Sequence, residues 1–573
     1  MSVVRNKVKD LHGFRGMLEL AVCFLITVSV LRGFFLEGYL VSTGSMAPML
    51  LGFHKRLQCP SCQHSFACGV QFDESVDTSS GGTSGDSVEA YASCPNCGQI
   101  NIDISTVPGN HGDQLLVHKN VFDFRRPRRW EPVVFRNPAS PGEAYVKRVV
   151  GLPGEQMLIL DGDIYANGRI ARKNLATQRS MRILVSDLGH LPDDPTWELP
   201  WQLDGNWSVE QGKLQCVATA EETNGRSTTS SLSFRNWRWF GGNHTAETPL
   251  STHDAYPDWT DFLRRFDRIP VSWVSRLDYD EEAQVLRCQG VMPEEMQRDL
   301  MTSATNNVFR RAIYRLAAQS HLSPVTDRYG YNSVVASAEH SVADVMLDTT
   351  IIIDEKPLWI EVSVPVDSET YHVYLDAKSG RIELRADDSQ VVLRSAKLVL
   401  TDNRLRIEAS NFDHRVIVAV NGELPFGALD LPGVDLSVPL STSDETLESS
   451  VAVSAAATFE QRLPRQRFTL SITGGRVRVE DLRMYRDVYY TPGRRKHAVD
   501  TTCEIPTDSY FVHGDNSPVS FDSRSWEDPF VPHRLLVGKP FVVHLPSRPG
   551  RLRLGNRQIA IRIPDFGRIR YIQ

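Results

Sequence analysis

Ser42-Thr43-Gly44-Ser45-Met46-Ala47-Pro48-Met49 lies just past an apolar stretch near the N-terminus of a 573-residue chain. Gly44 lets the backbone approach closely and Pro48 ends any helix. Ser45 is therefore expected on an extended or turning segment, its hydroxyl open to a groove. Local composition alone favours a polar loop at the end of a membrane helix. Two distant stretches decide between these: the strand around Lys147 and the segment Gly514-Asp515-Asn516.

Residues 1 to 16 carry Arg5, Lys7, Lys9 and Arg15 against the single acid Asp10. Residues 17 to 36 are predominantly apolar and carry two charges, Glu19 and Arg32. A bilayer core takes about 20 residues of helix, so this run suffices if those two charges reach the interfaces. A cleaved signal peptide is the rival reading, but bulky Phe34, Phe35, Leu36 and Tyr39 stand where small residues would be needed. The expectation is a retained anchor in the cell inner membrane. Its basic flank would stay in the cytoplasm and everything after Leu36 would lie outside. Ser45 would then sit beside the outer lipid surface.

A net charge of −7 argues against general nucleic-acid binding, and 41% hydrophobic residues suit globular cores. The basic runs Arg125-Arg126-Pro127-Arg128-Arg129 and Arg494-Arg495-Lys496 read as solvated loops, with anionic headgroups as the alternative. Nine cysteines in so long a chain do not make a disulfide scaffold. Four of them fall into two knuckles, Cys59-Pro60-Ser61-Cys62 and Cys94-Pro95-Asn96-Cys97, separated by a Ser/Gly-rich spacer that includes residues 78 to 86. That pattern predicts a zinc ribbon closed by four thiolates, with two disulfides as the alternative. Either element is structural, because four thiolates leave no open position for catalysis.

Residues 112 to 169 read as β-structure. In Ala144-Tyr145-Val146-Lys147-Arg148-Val149-Val150, alternation puts Tyr145, Lys147 and Val149 on one face. A lysine between apolar neighbours can lose its water, and desolvation yields a neutral amine usable as a general base. From 181 to 487 the texture changes to short alternating strands, among them Trp359-Ile360-Glu361-Val362 and Arg415-Val416-Ile417-Val418-Ala419-Val420, which predict an antiparallel sandwich. One amphipathic helix is expected there, from Pro293 to Gln319, with Met296, Leu300, Met301, Ala304 and Val308 on its apolar stripe. After Tyr489 an apolar strand enters Gly514-Asp515-Asn516 and leaves through Ser520, Asp522 and Arg524.

Four stretches together resemble the bacterial type I signal peptidases. They are residues 42–48, Gly112-Asp113-Gln114-Leu115-Leu116-Val117-His118-Lys119, Tyr145-Val146-Lys147-Arg148-Val149-Val150-Gly151-Leu152-Pro153-Gly154-Glu155, and Gly514-Asp515-Asn516-Ser517-Pro518-Val519-Ser520-Phe521-Asp522-Ser523-Arg524. The middle region additionally resembles concanavalin-like (laminin-G-like) jelly rolls. The signal-peptidase resemblance implies Ser45 as nucleophile and Lys147 as general base. It further implies Thr43 with the Ser45 N–H as oxyanion donors, Ser520 orienting the lysine, Met46 lining the floor, and Asp522 with Arg524 as a supporting ion pair. Two departures stand out: Ser517-Pro518-Val519 replaces the family's usual Arg-Asp-Asn, and Trp130-Glu131-Pro132 stands where a Gly-Asp turn is common.

The expected fold is mainly β: an N-terminal transmembrane helix, a β catalytic domain split in sequence, an inserted zinc ribbon and an inserted antiparallel β-sandwich. A cytoplasmic N-terminus (1–16) is expected to precede the anchor (17–36). The catalytic domain would be assembled from residues 37–58, 99–178 and 489–573, interrupted by the ribbon (59–98) and the sandwich (179–488). The resemblance implies an endopeptidase acting on signal peptides of exported preproteins, beside membrane lipid and the protein-export machinery. It needs no cofactor for catalysis; a structural zinc at Cys59, Cys62, Cys94 and Cys97 comes from the spacing. A catalytically inactive, membrane-anchored binding protein is the alternative from another class. A soluble, self-cleaving Ser-Lys repressor relative is disfavoured by the anchor.

Overall fold

The computed structural model describes residues 17–70, 91–99, 102–193, 199–210, 213–218, 228–236, 245–252, 276–289, 292, 294–303, 307–320, 325–332, 340–367, 369–386, 391–431, 467–544, 546–554 and 557–572. The basic segment 1–16 and the spacer 78–86 lie outside them. The described chain is mainly β-strand.

Met17–Phe35 form one helix, long and apolar enough to cross a membrane by length and composition. It leads directly into the strand Leu36–Leu40, which pairs antiparallel with Gln114–His118. That pairing opens an eight-stranded sheet continuing through Leu536–Val543, Pro132–Arg136, Ala144–Gly151, Ser509–His513 and Val531–Pro532, with Arg570–Tyr571 added on Leu536–Val543. Val512 faces Val149 and Lys539 faces His118 in this register. Strands from either side of the long middle region thus share one sheet.

Between those strands the chain builds two further large sheets. One holds Gly475–Arg486 at its centre, flanked by Val345–Glu355 and Lys213–Ala218; the other centres on Thr469–Thr473, Trp359–Val366 and Glu369–Leu375. The pairings among these strands are antiparallel, and their inward residues, including Leu347, Ile351, Val362, Leu470, Val477 and Met484, form one core. Alternation along Gly475–Arg486 slips by one residue between Val479 and Leu482, where Asp481 takes a φ of 52° and the register with Val345–Glu355 shifts. This β-bulge keeps both Val479 and Leu482 facing inward. The Asn421-Gly422 turn has positive φ at both residues, as a two-residue hairpin of this hand requires.

The single helix expected from Pro293 to Gln319 is two helices, Glu294–Ser303 and Asn307–Ser320, packed on a three-stranded sheet. Met296 and Leu300 are buried, but so are Phe309, Ile313 and Leu316, while Val308 is exposed. Leu300 and Phe309 are nine residues apart, which is two and a half turns of a continuous helix and would put them on opposite faces. Breaking the helix lets both face one core.

Beside the cysteine pairs lies a three-stranded sheet. His54–Gln58 pairs with Ser65–Gly69 and with Gly109–Asn110, so it reaches beyond residues 59–98 on both sides.

Candidate active site

Gly44–Met46 form a single tight turn entered by an extended Thr43. Met46 anchors it by packing fully buried among Val41, Leu50, Leu115, Val117 and Val134. Ser45 is 8% exposed, and its hydroxyl lies 3.4 Å from Thr43 Oγ1. The Ser45 carbonyl accepts from the Asn516 N–H at 3.0 Å, and the Gly44 carbonyl accepts from Asn516 Nδ2 at 3.0 Å. The turn is thereby tied to Gly514-Asp515-Asn516.

Lys147 lies in mid-strand, with Val133 as its register partner on one side and Ser509–His513 beyond the other. It is 4% exposed and donates from Nζ to Ser520 Oγ at 3.0 Å. Burial pushes its pKa down to about 8; Asp522 works against that shift and Arg524 with it. Its neighbour Arg148 points the opposite way and meets a different fate. Arg148 is fully buried and forms a two-pronged pair with Asp515, 2.7 Å at each oxygen. Burial opposes that charge, yet Asp515 outweighs it and holds the Arg148 pKa above its ordinary value. One strand thus carries a cation matched by a carboxylate and, one residue earlier, an amine bonded to a neutral hydroxyl. Sequence reasoning assigned Arg148 and Asp515 no role. The available signal was a basic residue directly after Lys147 and an acidic one directly after Gly514.

Asp522 and Arg524 are both buried and joined at 2.6 Å and 2.8 Å. Burial resists ionisation of Asp522, but Arg524 overcomes it and holds the carboxyl well below the usual range. Asp522 also accepts from the Gly514 N–H at 3.0 Å. Arg524 spends its remaining donors on the Thr491 carbonyl and Ser517 Oγ, each at 2.6 Å. Ser517, one of the departures from the family pattern, is therefore an acceptor for the supporting arginine. His513, fully buried between these groups, is held neutral by burial, its pKa pushed down to about 3. Gly514 is the point of convergence: a Cβ there would collide with both the Ser45 carbonyl and Ser520 Oγ. Only glycine fits where these two segments of the site meet.

The second departure also has a physical basis. Trp130 adopts a φ of 69°, a conformation that explains why glycine suits this position. Its ring compensates through stacking on Tyr490 and through Lys173 Nζ 4.4 Å from its centre. The nearby basic run is engaged rather than free: Arg125 pairs with Glu131 at 2.6 Å, and Arg129 pairs with Glu155 at 2.5 Å.

The four ribbon cysteines converge. All are buried and none is joined in a disulfide, with Cys59 and Cys97 Sγ 3.6 Å apart, Cys62 and Cys94 Sγ 3.7 Å apart, and all four within 4.8 Å of one another. Each knuckle is closed by a residue with positive φ, Gln63 in the first and Gly98 in the second.

Residues 104–222 and 464–545 match the family model described as signal peptidase, peptidase S26. Ser45 lies upstream of that match. Among curated relatives, the probable signal peptidase I-2 of Synechocystis sp. is 35% identical over 68 residues, 11% of this chain and 31% of that protein. The signal peptidase I of Leptolyngbya laminosa is 39% identical over 70 residues, 11% of this chain and 34% of its own length. That of Pseudomonas fluorescens is 32% identical over 106 residues, 17% and 37%. The chain thus spans about a third of the length of these relatives. Among solved structures, a carbohydrate-binding module from Bacillus subtilis covers 25% of this chain and 74% of its own, at 11% identity and a TM-score of 0.17. The lectin I-B4 of Griffonia simplicifolia covers 52% and 97%, at 8% identity and a TM-score of 0.21. Across the residues matched, the chain is similar to the signal peptidases of peptidase S26.

Proposed function

We propose that this chain is a membrane-anchored serine endopeptidase that removes signal peptides from exported preproteins through Ser45 and Lys147. One observation carries the proposal: Lys147 is buried, depressed toward neutrality and bonded to Ser520, whose hydroxyl converges with the Ser45 carbonyl on Gly514. A serine hydroxyl is a poor nucleophile at neutral pH and needs an adjacent base.

In this mechanism neutral Lys147 takes the Ser45 proton as Oγ bonds to the scissile carbonyl carbon. The oxyanion that forms is met by the Ser45 N–H, at the start of its turn, and by the Thr43 hydroxyl. The Lys147 ammonium then gives its proton to the leaving amine as the C–N bond breaks, which leaves an acyl-Ser45. Lys147 next takes a proton from water, the hydroxide displaces Ser45 from the acyl carbon, and the proton returns to Ser45. Ser520 keeps the amine aimed throughout, and the Asp522–Arg524 pair fixes the loop that carries Ser520.

The apolar helix reaches the strand Leu36–Leu40 directly, so Ser45 follows it within ten residues. A substrate whose apolar segment lies in the same bilayer would reach the site with little extension. The basic residues before the helix favour a cytoplasmic N-terminus and an extracytoplasmic site on the inner membrane.

Cys59, Cys62, Cys94 and Cys97 would hold a structural zinc. Zn–S bonds of about 2.3 Å set tetrahedral S···S edges of about 3.8 Å, close to the 3.6 and 3.7 Å separations here. Disulfides would need sulfurs about 2.05 Å apart. When bound, zinc would contribute folding energy to the ribbon and no step of the reaction.

The experiment is cleavage of a signal-peptide substrate by the purified full chain and by its Ser45→Ala and Lys147→Ala variants. Turnover lost in both variants supports the dyad. Turnover unaffected by either sinks it, and a wild-type chain with no turnover favours a silent binding protein.

A further inference from the structure

One short segment of the long middle region returns into the site. Residues 325–332 run between the ribbon, the Ser45 turn and Gly514-Asp515-Asn516. Tyr329 donates its hydroxyl to the Asp515 carbonyl at 2.5 Å, and its ring lies 4.6 Å from the Arg486 guanidinium carbon. Gly330 packs on the ribbon, where an added Cβ would come within 2.8 Å of Pro95. The Tyr331 ring fills the space over both Gly44 and Gly69, and a Cβ at either glycine would collide with it. Tyr331 is further fixed by its hydroxyl on the Phe53 carbonyl at 3.1 Å and by the Gly69 N–H on its own carbonyl at 2.7 Å.

Asn332 reaches the Ser45 turn through Asn516. Its amide faces that of Asn516 in a reciprocal pair, Nδ2 to Oδ1 at 2.8 Å in one direction and 2.7 Å in the other. Asn516 is fully buried and also donates from Nδ2 to the Gly44 carbonyl. An amide that turned over would present its oxygen to that carbonyl, so its orientation must be held. Asn332 offers both a donor and an acceptor, and as it stands it matches only the orientation of Asn516 that also serves the Gly44 carbonyl.

We infer that Asn332 and Tyr331 are positioning residues for the Ser45 turn. Asn332 fixes the amide of Asn516, which ties down the Gly44 and Ser45 carbonyls, while Tyr331 packs the turn from the opposite side. Neither residue touches reacting atoms. This inference rests on the proposed peptidase reading for its kinetic consequence, but not for its structural one.

The test uses the full chain carrying Asn332→Ala, Asn516→Ala, both together, or Tyr331→Phe. A displacement of about 1 Å in a catalytic group costs about 10²-fold in rate, so Asn332→Ala should lower kcat about 10- to 100-fold and leave KM within about threefold. The double variant should be no slower than Asn516→Ala alone, because both changes break one unit. Tyr331→Phe keeps the ring, should fold, and should lower kcat about threefold by losing one hydrogen bond. Hydrogen exchange at the Asn516 amide and across residues 43–53 should quicken in Asn332→Ala, with the sandwich strands unchanged. Wild-type kcat in Asn332→Ala and Tyr331→Phe, with unaltered exchange, overturns the inference. A wild-type chain that cleaves nothing, yet loses protection in Asn332→Ala, overturns the peptidase reading and upholds the positioning role.

Discussion

The Lys147 amine and the Ser520 hydroxyl meet at 3.0 Å although 373 residues separate them in the chain. The long stretch of chain between them does not interrupt that contact. The strand of Lys147 and the loop of Ser520 are joined through Val149 and Val512 in one sheet, and the rest of the site follows from that register.

The pH dependence follows from burial of the amine. Lys147 has its pKa lowered from 10.5 to about 8, and it acts as a base only when neutral. Cleavage should therefore rise with pH, bend near pH 8 and level off above it, falling about tenfold per unit on the acid side. A plateau extending down to pH 6 in kcat/KM would be incompatible with this base.

Ser520→Ala removes the acceptor that aims Lys147 without touching the acyl group. General-base positioning contributes about 10²–10⁴-fold, so kcat should drop by at least tenfold with KM little changed. Steady-state kinetics on one signal-peptide substrate would read this directly, and an unaltered kcat would remove Ser520 from the mechanism.

Thr43 tests the oxyanion assignment. Thr43→Val keeps the shape and loses the hydroxyl, and loss of one such donor costs about 10²–10³-fold in kcat. Thr43→Ser should recover most of that rate.

Arg524→Met should be severe for stability rather than chemistry alone. It would leave the Asp522 carboxylate buried without its partner, a change that typically costs about 3–5 kcal/mol. The folded Asp522 pKa lies below the unfolded value of 3.8. The pair's contribution is thus fully present above that value and is lost as the pH falls below it. Thermal melts of wild type and variant should differ most at pH 7 and draw closer toward pH 3 without meeting.

The ribbon gives an elemental readout. About one zinc per chain is expected, with Cys59, Cys62, Cys94 and Cys97 titrating as thiols without added reductant once the metal is removed. Chelation should lower the melting temperature while leaving turnover unchanged in chain that stays folded. Fully oxidised Cys59, Cys62, Cys94 and Cys97 with no metal would establish disulfides instead.

Much of the site was legible because its chemistry is written locally. Ser45 sits between Gly44 and Pro48, Lys147 among strand valines, and Asp522 two residues from Arg524. The cysteine knuckles are as local, and the sandwich strands announce themselves by alternation. The helical pair was not legible as two because Met296 and Leu300 fit one stripe until Phe309 breaks its phase. Arg148 and Asp515 lacked a role because their pairing crosses 367 residues. Tyr331 and Asn332 carry no periodicity at all, and their fit depends on Gly44, Gly69 and Asn516 far away in the chain.

Tyr331 resting over Gly44 and Gly69 makes residues 325–332 a lining of their neighbours rather than a passing loop. Their removal would uncover two bare glycines and strip Asn516 of its amide partner. Closing the gap would then take new bulk beside both glycines and a new partner for that amide.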